Sequence, residues 1–195
     1  MPDVKSQSRD SPIKPSILPR DGRVRPMTVV ETVRTRLREL SVDDSAFICA
    51  LLNEPSFLRF IGDRNVRTTD DAAHFIETRY RQSYVDHGYG LYVIESRADG
   101  APVGLCGFVR RPTLSHADLG FALLAPHEGK GYAYEAAMAT LAYGHDVLGL
   151  ARVLAIAQED NARSHALLLR LGFLRDGTVA MPGDPAPLAL FVRDA

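Results

Sequence analysis

The stretch from Asp118 to Ala137 narrows the possible folds more than any other part of the chain. An apolar segment, Asp118–Leu124, leads through a polar loop, Ala125–Gly131, into a small-residue segment that starts near Lys130. That succession predicts a buried strand, a tight loop and a helix. The loop carries the spacing Gly129-x-Gly131-x-Ala133. Glycines let a backbone approach a ligand closely, the first N–H groups of a helix lack internal partners, and the helix dipole favours negative charge there. The spacing is neither the dinucleotide pattern G-x-G-x-x-G nor the P-loop pattern G-x-x-x-x-G-K-[ST]. It therefore predicts an anionic cofactor, but not a nicotinamide dinucleotide or ATP held in the usual way.

With 195 residues, the chain can build one domain with a full core. A formal net charge of −1 gives no global signal for nucleic acid or a membrane surface, and no apolar run reaches the length of a membrane span. Cys49 and Cys106 fall among apolar residues in different predicted elements, which reads as two buried free thiols and fits a reducing cytoplasm. The histidines show no metal-ligand spacing, so no metal is expected.

Residues 1–26 hold five of the twelve prolines and six Lys/Arg against three Asp. They read as a disordered or loosely attached tail ahead of a domain spanning 27–195. A first strand is expected over Val33–Arg38. Ser41 would then cap a helix whose stripe is Phe47, Ile48, Leu51 and Leu52. Asn53–Thr69 reads as irregular, with Pro55 and Gly62 as breakers. A second helix, capped by Thr69 or Asp70, runs to about Val85. Strands follow at Leu91–Glu95, Val103–Val109 and Asp118–Leu124. The long helix runs from about Lys130 to Leu148, with Ala133, Ala137, Met138, Leu141 and Leu148 on its core face. A strand at Val153–Ala157, a helix begun by Asp160 or Asn161, and strands at Phe173–Asp176 and Leu188–Val192 complete a mixed α/β order of seven strands.

This order of elements, the loop Glu128-Gly129-Lys130-Gly131-Tyr132-Ala133 and the segment Asn161-x-x-Ser164…Leu171-Gly172-Phe173 together resemble the GNAT superfamily of N-acetyltransferases. Thr32-x-Arg34-x-x-Leu37-Arg38, Leu119-Gly120-Phe121 and Gly131-Tyr132-Ala133-x-Glu135-Ala136 are similar to its ribosomal-protein N-terminal acetyltransferase branch. The resemblance covers about Glu31 to Asp176. It implies a mainly antiparallel sheet of about seven strands, splayed at the centre, with helices on both faces. It also implies acetyl transfer from acetyl-CoA to a primary amine, such as a protein or peptide N-terminus, by direct attack in a ternary complex. Glu128, Gly129, Lys130, Gly131, Tyr132 and Ala133 would hold the CoA pyrophosphate, Leu123, Leu124 and Ala125 would pair with the pantetheine arm, and Asn161 and Ser164 would contact the same arm. Members of the family often form homodimers.

Two positions depart from the family pattern. The loop opens on Glu128 where Arg or Gln is usual, so that carboxylate should point to solvent and Lys130 with His127 should supply the cation. Leu168 stands where many members carry a thiolate-protonating Tyr, which makes Ser164, one turn earlier, the candidate acid. Asp118 is the leading candidate base, with Glu95 and His116 behind it. Glu135, in the first helical turn, reads as structural. Because a chain N-terminus titrates near ~8 and a lysine near ~10.4, a weak base set favours an α-amine. The acceptor site is expected from Asn53–Thr69, the second helix and the turn Ala180–Pro187, with Phe57, Phe60, Arg64 and Tyr84 as lining candidates. Competing readings are a non-catalytic CoA-binding sensor of the same fold and an acetyltransferase of a small-molecule amine. A nucleic-acid-binding reading has only the basic tail behind it.

Overall fold

A computed structural model describes residues 27–184 and 186–195. The stretch 1–26 lies outside them, and with it the expectation of a tail. The described residues form an eight-stranded sheet in the order β1-β2-β3-β4-β5-β6-β8-β7. Its strands are β1 (Thr28–Glu31), β2 (Thr35–Arg38), β3 (Leu91–Ser96), β4 (Pro102–Val109), β5 (Asp118–Leu123), β6 (Arg152–Ala157), β7 (Leu174–Val179) and β8 (Leu188–Asp194). All neighbouring pairs are antiparallel except β5 and β6. The eighth strand is β1, a four-residue edge too short to show an alternating pattern.

Helices cover both faces. On one side α5 (Tyr132–Asp146) and α6 (Ala162–Arg170) close a core that includes Leu37, Ile94, Phe108, Leu119, Leu168, Phe173 and Phe191. On the other, α1 (Ser45–Leu52), α3 (Thr69–Phe75) and the residue after it, Ile76, pack Ile48, Leu51, Ala72 and Ile76 against Val93 and Leu105. A six-residue π segment, Ile76–Arg81, continues α3 into α4 (Gln82–His87), which Gly88 ends in the left-handed conformation.

Three expectations need correction. The stretch 53–69 is not wholly irregular: α2 (Pro55–Phe60) starts on Pro55, because proline at the first helical position gives up an N–H that would have had no partner anyway. The helix cap is Thr68, whose hydroxyl accepts from the Asp71 N–H while the Asp71 carboxylate accepts from the Thr68 N–H. On α5 the buried stripe is Ala136, Ala137, Thr140, Leu141 and Gly144, whereas Met138 is exposed. Gly144 admits the Phe108 ring, since a Cβ there would lie 2.5 Å from Phe108 Cζ. Both cysteines are free; Cys106 is buried, Cys49 only half so.

Glycine is also required where β4 meets the chain entering β3. A Cβ on Gly107 would come within 2.1 Å of the Gly90 carbonyl oxygen, a backbone atom that cannot swing aside. We expect Gly107→Ala to lower unfolding free energy by about 1–3 kcal/mol, measured by urea denaturation.

Candidate active site

β5 pairs with β4 over six residues, and β6 with β8 over six. Between β5 and β6 the described register has one pair, Asp118 opposite Leu154, with the Leu154 N–H donating to the Ala117 oxygen at 2.9 Å. Beyond that junction the strands part, and a V-shaped gap opens toward Leu123 and Ala157. The Leu124 N–H donates to Val103 O at 3.0 Å, which sets the even-numbered residues of β5 against β4. Alternation then turns the N–H and C=O groups of Phe121 and Leu123 into the gap.

That register corrects one expectation. The Leu124 N–H is engaged by β4, and the Leu124 carbonyl accepts from the His127 N–H at 2.9 Å, so Leu124 has no free backbone group for a ligand. Leu123 does. The Ala125 N–H also leaves the ladder, and it donates to Glu54 Oε1 at 3.3 Å.

The loop after β5 makes a short 3₁₀ turn, Ala125–His127, then runs through Gly129 (φ 71°) and Gly131 (φ 83°) into α5. Both φ values lie in the left-handed region that favours glycine. Among the described residues, no N–H group of residues 129–134 donates to a protein acceptor. A row of unpaired donors on a helix start fits an anion such as a diphosphate. Lys130 is exposed and makes no ion pair among the described residues. Glu128 does not simply point to solvent. Its Oε2 accepts from Arg163 Nη1 at 2.5 Å and its Oε1 from Ser56 Oγ at 3.4 Å. A carboxylate beside an anion site needs a cation, and α6 provides it.

Asp118 lies at the apex of the V with 1% of its surface exposed. Arg111 Nε donates to its Oδ2 at 2.6 Å, while its Oδ1 is buried without a hydrogen-bond partner among the described residues. Burial pushes the carboxyl up to about 6, although the Arg111 charge and the Ile156 N–H on β6 pull the other way. Glu95, on β3 two strands from the gap, is held by Arg36 and Arg38 of β2, and His116 shares a hydrogen bond with Ser115 before β5 begins. Neither faces the V.

On the far lip, Asn161 caps α6, its Oδ1 accepting from the Ser164 N–H at 3.1 Å. Ser164 is half-buried in the first turn, one turn before the fully buried Leu168. Two lining candidates are corrected. Phe57 is buried in the α1–α3 core, and Tyr84 stacks on Tyr92 with its hydroxyl engaged by the Leu40 N–H and the Leu91 carbonyl. Phe60 remains half-buried beneath the Arg59 guanidinium, and Arg64 is exposed. Sequence reading missed Arg111, Glu54 and Arg163. No local pattern marks them, and only folding brings each to its partner.

A parted pair of parallel strands beside an unpaired glycine loop defines the acyl-carrier-binding transferases of mixed α/β fold. The chain belongs to the GNAT acetyltransferase family: the acetyltransferase (GNAT) domain model matches residues 34–174. Enzymes of this family take acetyl from acetyl-CoA. The chain is 28% identical over 152 residues to the uncharacterized N-acetyltransferase YoaA of Bacillus subtilis (strain 168), covering 77% of this chain and 85% of that one. It superposes on a GNAT-family acetyltransferase structure from Bordetella pertussis with TM-score 0.69 at 27% identity, covering 84% and 98%. A further fold match, TM-score 0.74 at 15% identity over 86% and 98%, is RimL, a ribosomal L7/L12 α-N-protein acetyltransferase solved with CoA. Among the described residues, no helix is long and apolar enough to cross a membrane.

A raised folded-state pKa means that the folded protein holds the Asp118 proton more tightly than the unfolded chain. Its contribution to stability is therefore full below the ordinary carboxylate value and is lost as pH rises through about 6. Arg111→Met should leave that buried charge unpaired. The expected loss is about 3 kcal/mol at pH 7.5 and clearly less at pH 5, where the carboxyl is neutral, read from denaturant midpoints at the two pH values.

Proposed function

We propose that this acetyltransferase acts on a primary α-amine, the N-terminus of a protein or peptide, in a ternary complex with acetyl-CoA. The observation that carries the reading is the V between β5 and β6, with Asp118 at its apex and the unpaired N–H row of 129–134 at its mouth.

The N–H groups of Gly129, Lys130, Gly131, Tyr132 and Ala133 would hold the diphosphate, with the Lys130 ammonium beside them. The free backbone groups of Leu123, and the Ala125 N–H once Glu54 releases it, would align the pantetheine arm. Asn161 and Ser164 would flank that arm from the other lip. When bound, acetyl-CoA supplies an activated acyl group, so positioning carries much of the acceleration. The Leu123 N–H is the candidate donor to the carbonyl oxygen as charge develops on it. Asp118 Oδ1, directly or through one water, takes the proton that the attacking amine loses. Ser164 Oγ gives a proton to the departing sulfur, the role that Leu168 cannot fill.

A carboxylate base with a pKa of about 6 suits an acceptor that is already partly deprotonated at neutral pH. That favours an α-amine, titrating near ~8, over a lysine near ~10.4. The fold shared with RimL, whose acceptor is a protein, is consistent with this choice. Phe60 and Arg64, on the α2 side of the mouth, remain candidates for acceptor contact.

The direct test is thermal melting with and without saturating acetyl-CoA, followed by CoA release with a panel of free-N-terminal peptides and polyamines. A stabilised protein that turns over peptides supports the reading; turnover of polyamines alone would redirect it to a small-molecule acceptor. Gly131→Val, strained at φ 83° and crowding Arg34 Nη2, should lose the acetyl-CoA stabilisation while its circular dichroism is retained. Ser164→Ala should lower kcat by roughly 10–100-fold with little change in CoA affinity. A full-rate variant would dismiss the serine.

A further inference from the structure

The N-terminal turn of α5 is held from outside the cleft by the connection between β1 and β2. Glu135, in that first turn, accepts from Thr32 Oγ1 at 2.6 Å, from the Arg34 N–H at 2.8 Å and from Arg34 Nε at 2.6 Å. The same guanidinium donates through Nη1 to the Lys130 carbonyl at 2.9 Å and lies 5.0 Å from the centre of the Tyr132 ring. Arg97, from the β3–β4 turn, donates to the Thr32 carbonyl at 2.6 Å and so fixes the connection itself. Burial works against ionisation of Glu135, but the Thr32 hydroxyl, the Arg34 N–H and the Arg34 charge outweigh it and hold its carboxyl below the ordinary glutamate value. The carboxylate stays charged across the neutral range.

The bond to the Lys130 carbonyl has a consequence set by peptide geometry. In a planar trans peptide, C=O and N–H point in opposite directions. Anchoring the Lys130 oxygen to Arg34 therefore turns the Gly131 N–H away from Arg34. Gly131 sits at φ 83°, where a residue without a side chain has wide freedom, so the loop cannot hold this orientation by itself. A carboxylate at the head of α5 would also repel an incoming diphosphate if it were bare. Here two donors from Arg34 and one from Thr32 neutralise it.

We infer that Thr32, Arg34 and Glu135 form a brace of positioning residues that sets the Lys130–Gly131 peptide for diphosphate binding, while the guanidinium stays engaged with Glu135. The inference rests on the reading of the 129–134 loop as the diphosphate site. The brace acts on cofactor affinity and not on the chemical step. Arg34 therefore contributes through the Lys130 carbonyl, and Glu135 through Arg34.

Calorimetric titration of CoA into the full-length protein and its variants tests this, alongside melting temperatures without ligand and steady-state kinetics in acetyl-CoA. Arg34→Ala and Glu135→Ala should each weaken CoA binding by roughly tenfold, the scale of one charge-assisted hydrogen bond. KM for acetyl-CoA should rise with them, and kcat at saturation should stay within about twofold. The double variant should be little worse than either single one, because the two side chains act as one unit. Arg34→Lys keeps the charge but lacks the fork that reaches both the carboxylate and the carbonyl, and it should remain weakened. Should the alanine variants fail to fold, Arg34→Lys and Glu135→Gln carry the same comparison. Unchanged CoA affinity in folded variants, or full recovery in Arg34→Lys, would overturn the brace. Absence of CoA binding by the unaltered protein would instead overturn the diphosphate reading beneath it.

Discussion

The parallel junction of β5 with β6 is the constraint on which the rest of the molecule depends. Two parallel strands that stayed paired would satisfy each other's backbone groups and leave nothing to bind. Here they meet at Asp118 and Leu154 and then separate, so one edge of β5 keeps its donors and acceptors without a strand to receive them. Exposed sheet edges normally invite unwanted pairing. The full ladders on either side, β4 with β5 and β6 with β8, keep the two halves rigid enough for the gap to persist.

Charge placement around the gap follows from that geometry. A site for an anionic carrier should present donors and cations, yet three carboxylates border this one. Each has a cation or an amide: Glu128 meets Arg163, Glu135 meets Arg34, and Glu54 meets the Ala125 N–H. The helix α2 and the start of α6 are further linked by Arg59 and Asp160 at 2.9 Å. The Glu128–Arg163 and Arg59–Asp160 contacts tie the lips of the cleft to one another across its mouth. Asp118 differs in being only half engaged: one oxygen meets Arg111, and the other is buried with no hydrogen-bond partner among the described residues. Buried polar atoms without partners are costly, and they cluster where chemistry is done.

The fold was legible because its local signals agree with one another. Alternation and turn residues located seven of the eight strands, and the small residues of α5 announced a helix lying close to a sheet. The glycine loop read correctly as a strand-to-helix turn with unpaired amides. What failed locally failed for a physical reason. Pro55 reads as a breaker but starts α2, since a proline differs in meaning between the first turn and the interior. Phe57 and Tyr84 read as aromatic lining but serve the core, because an aromatic on an amphipathic segment looks the same whether it faces a ligand or a neighbouring helix.

By itself the sequence determined the order of elements, the backbone freedom at Gly129 and Gly131, and the kinds of side chain near the loop. These follow from periodicity, φ preference and composition, which act over a few residues. Only the tertiary structure decided that Leu124 is closed off while Leu123 is open, that Glu128 is neutralised, and that Arg34 and Arg111 reach their carboxylates. Register and ion pairing join residues from seven positions apart, as Arg111 and Asp118 are, to 101, as Arg34 and Glu135 are, and nothing in a local stretch records which partner the folded chain will bring to it.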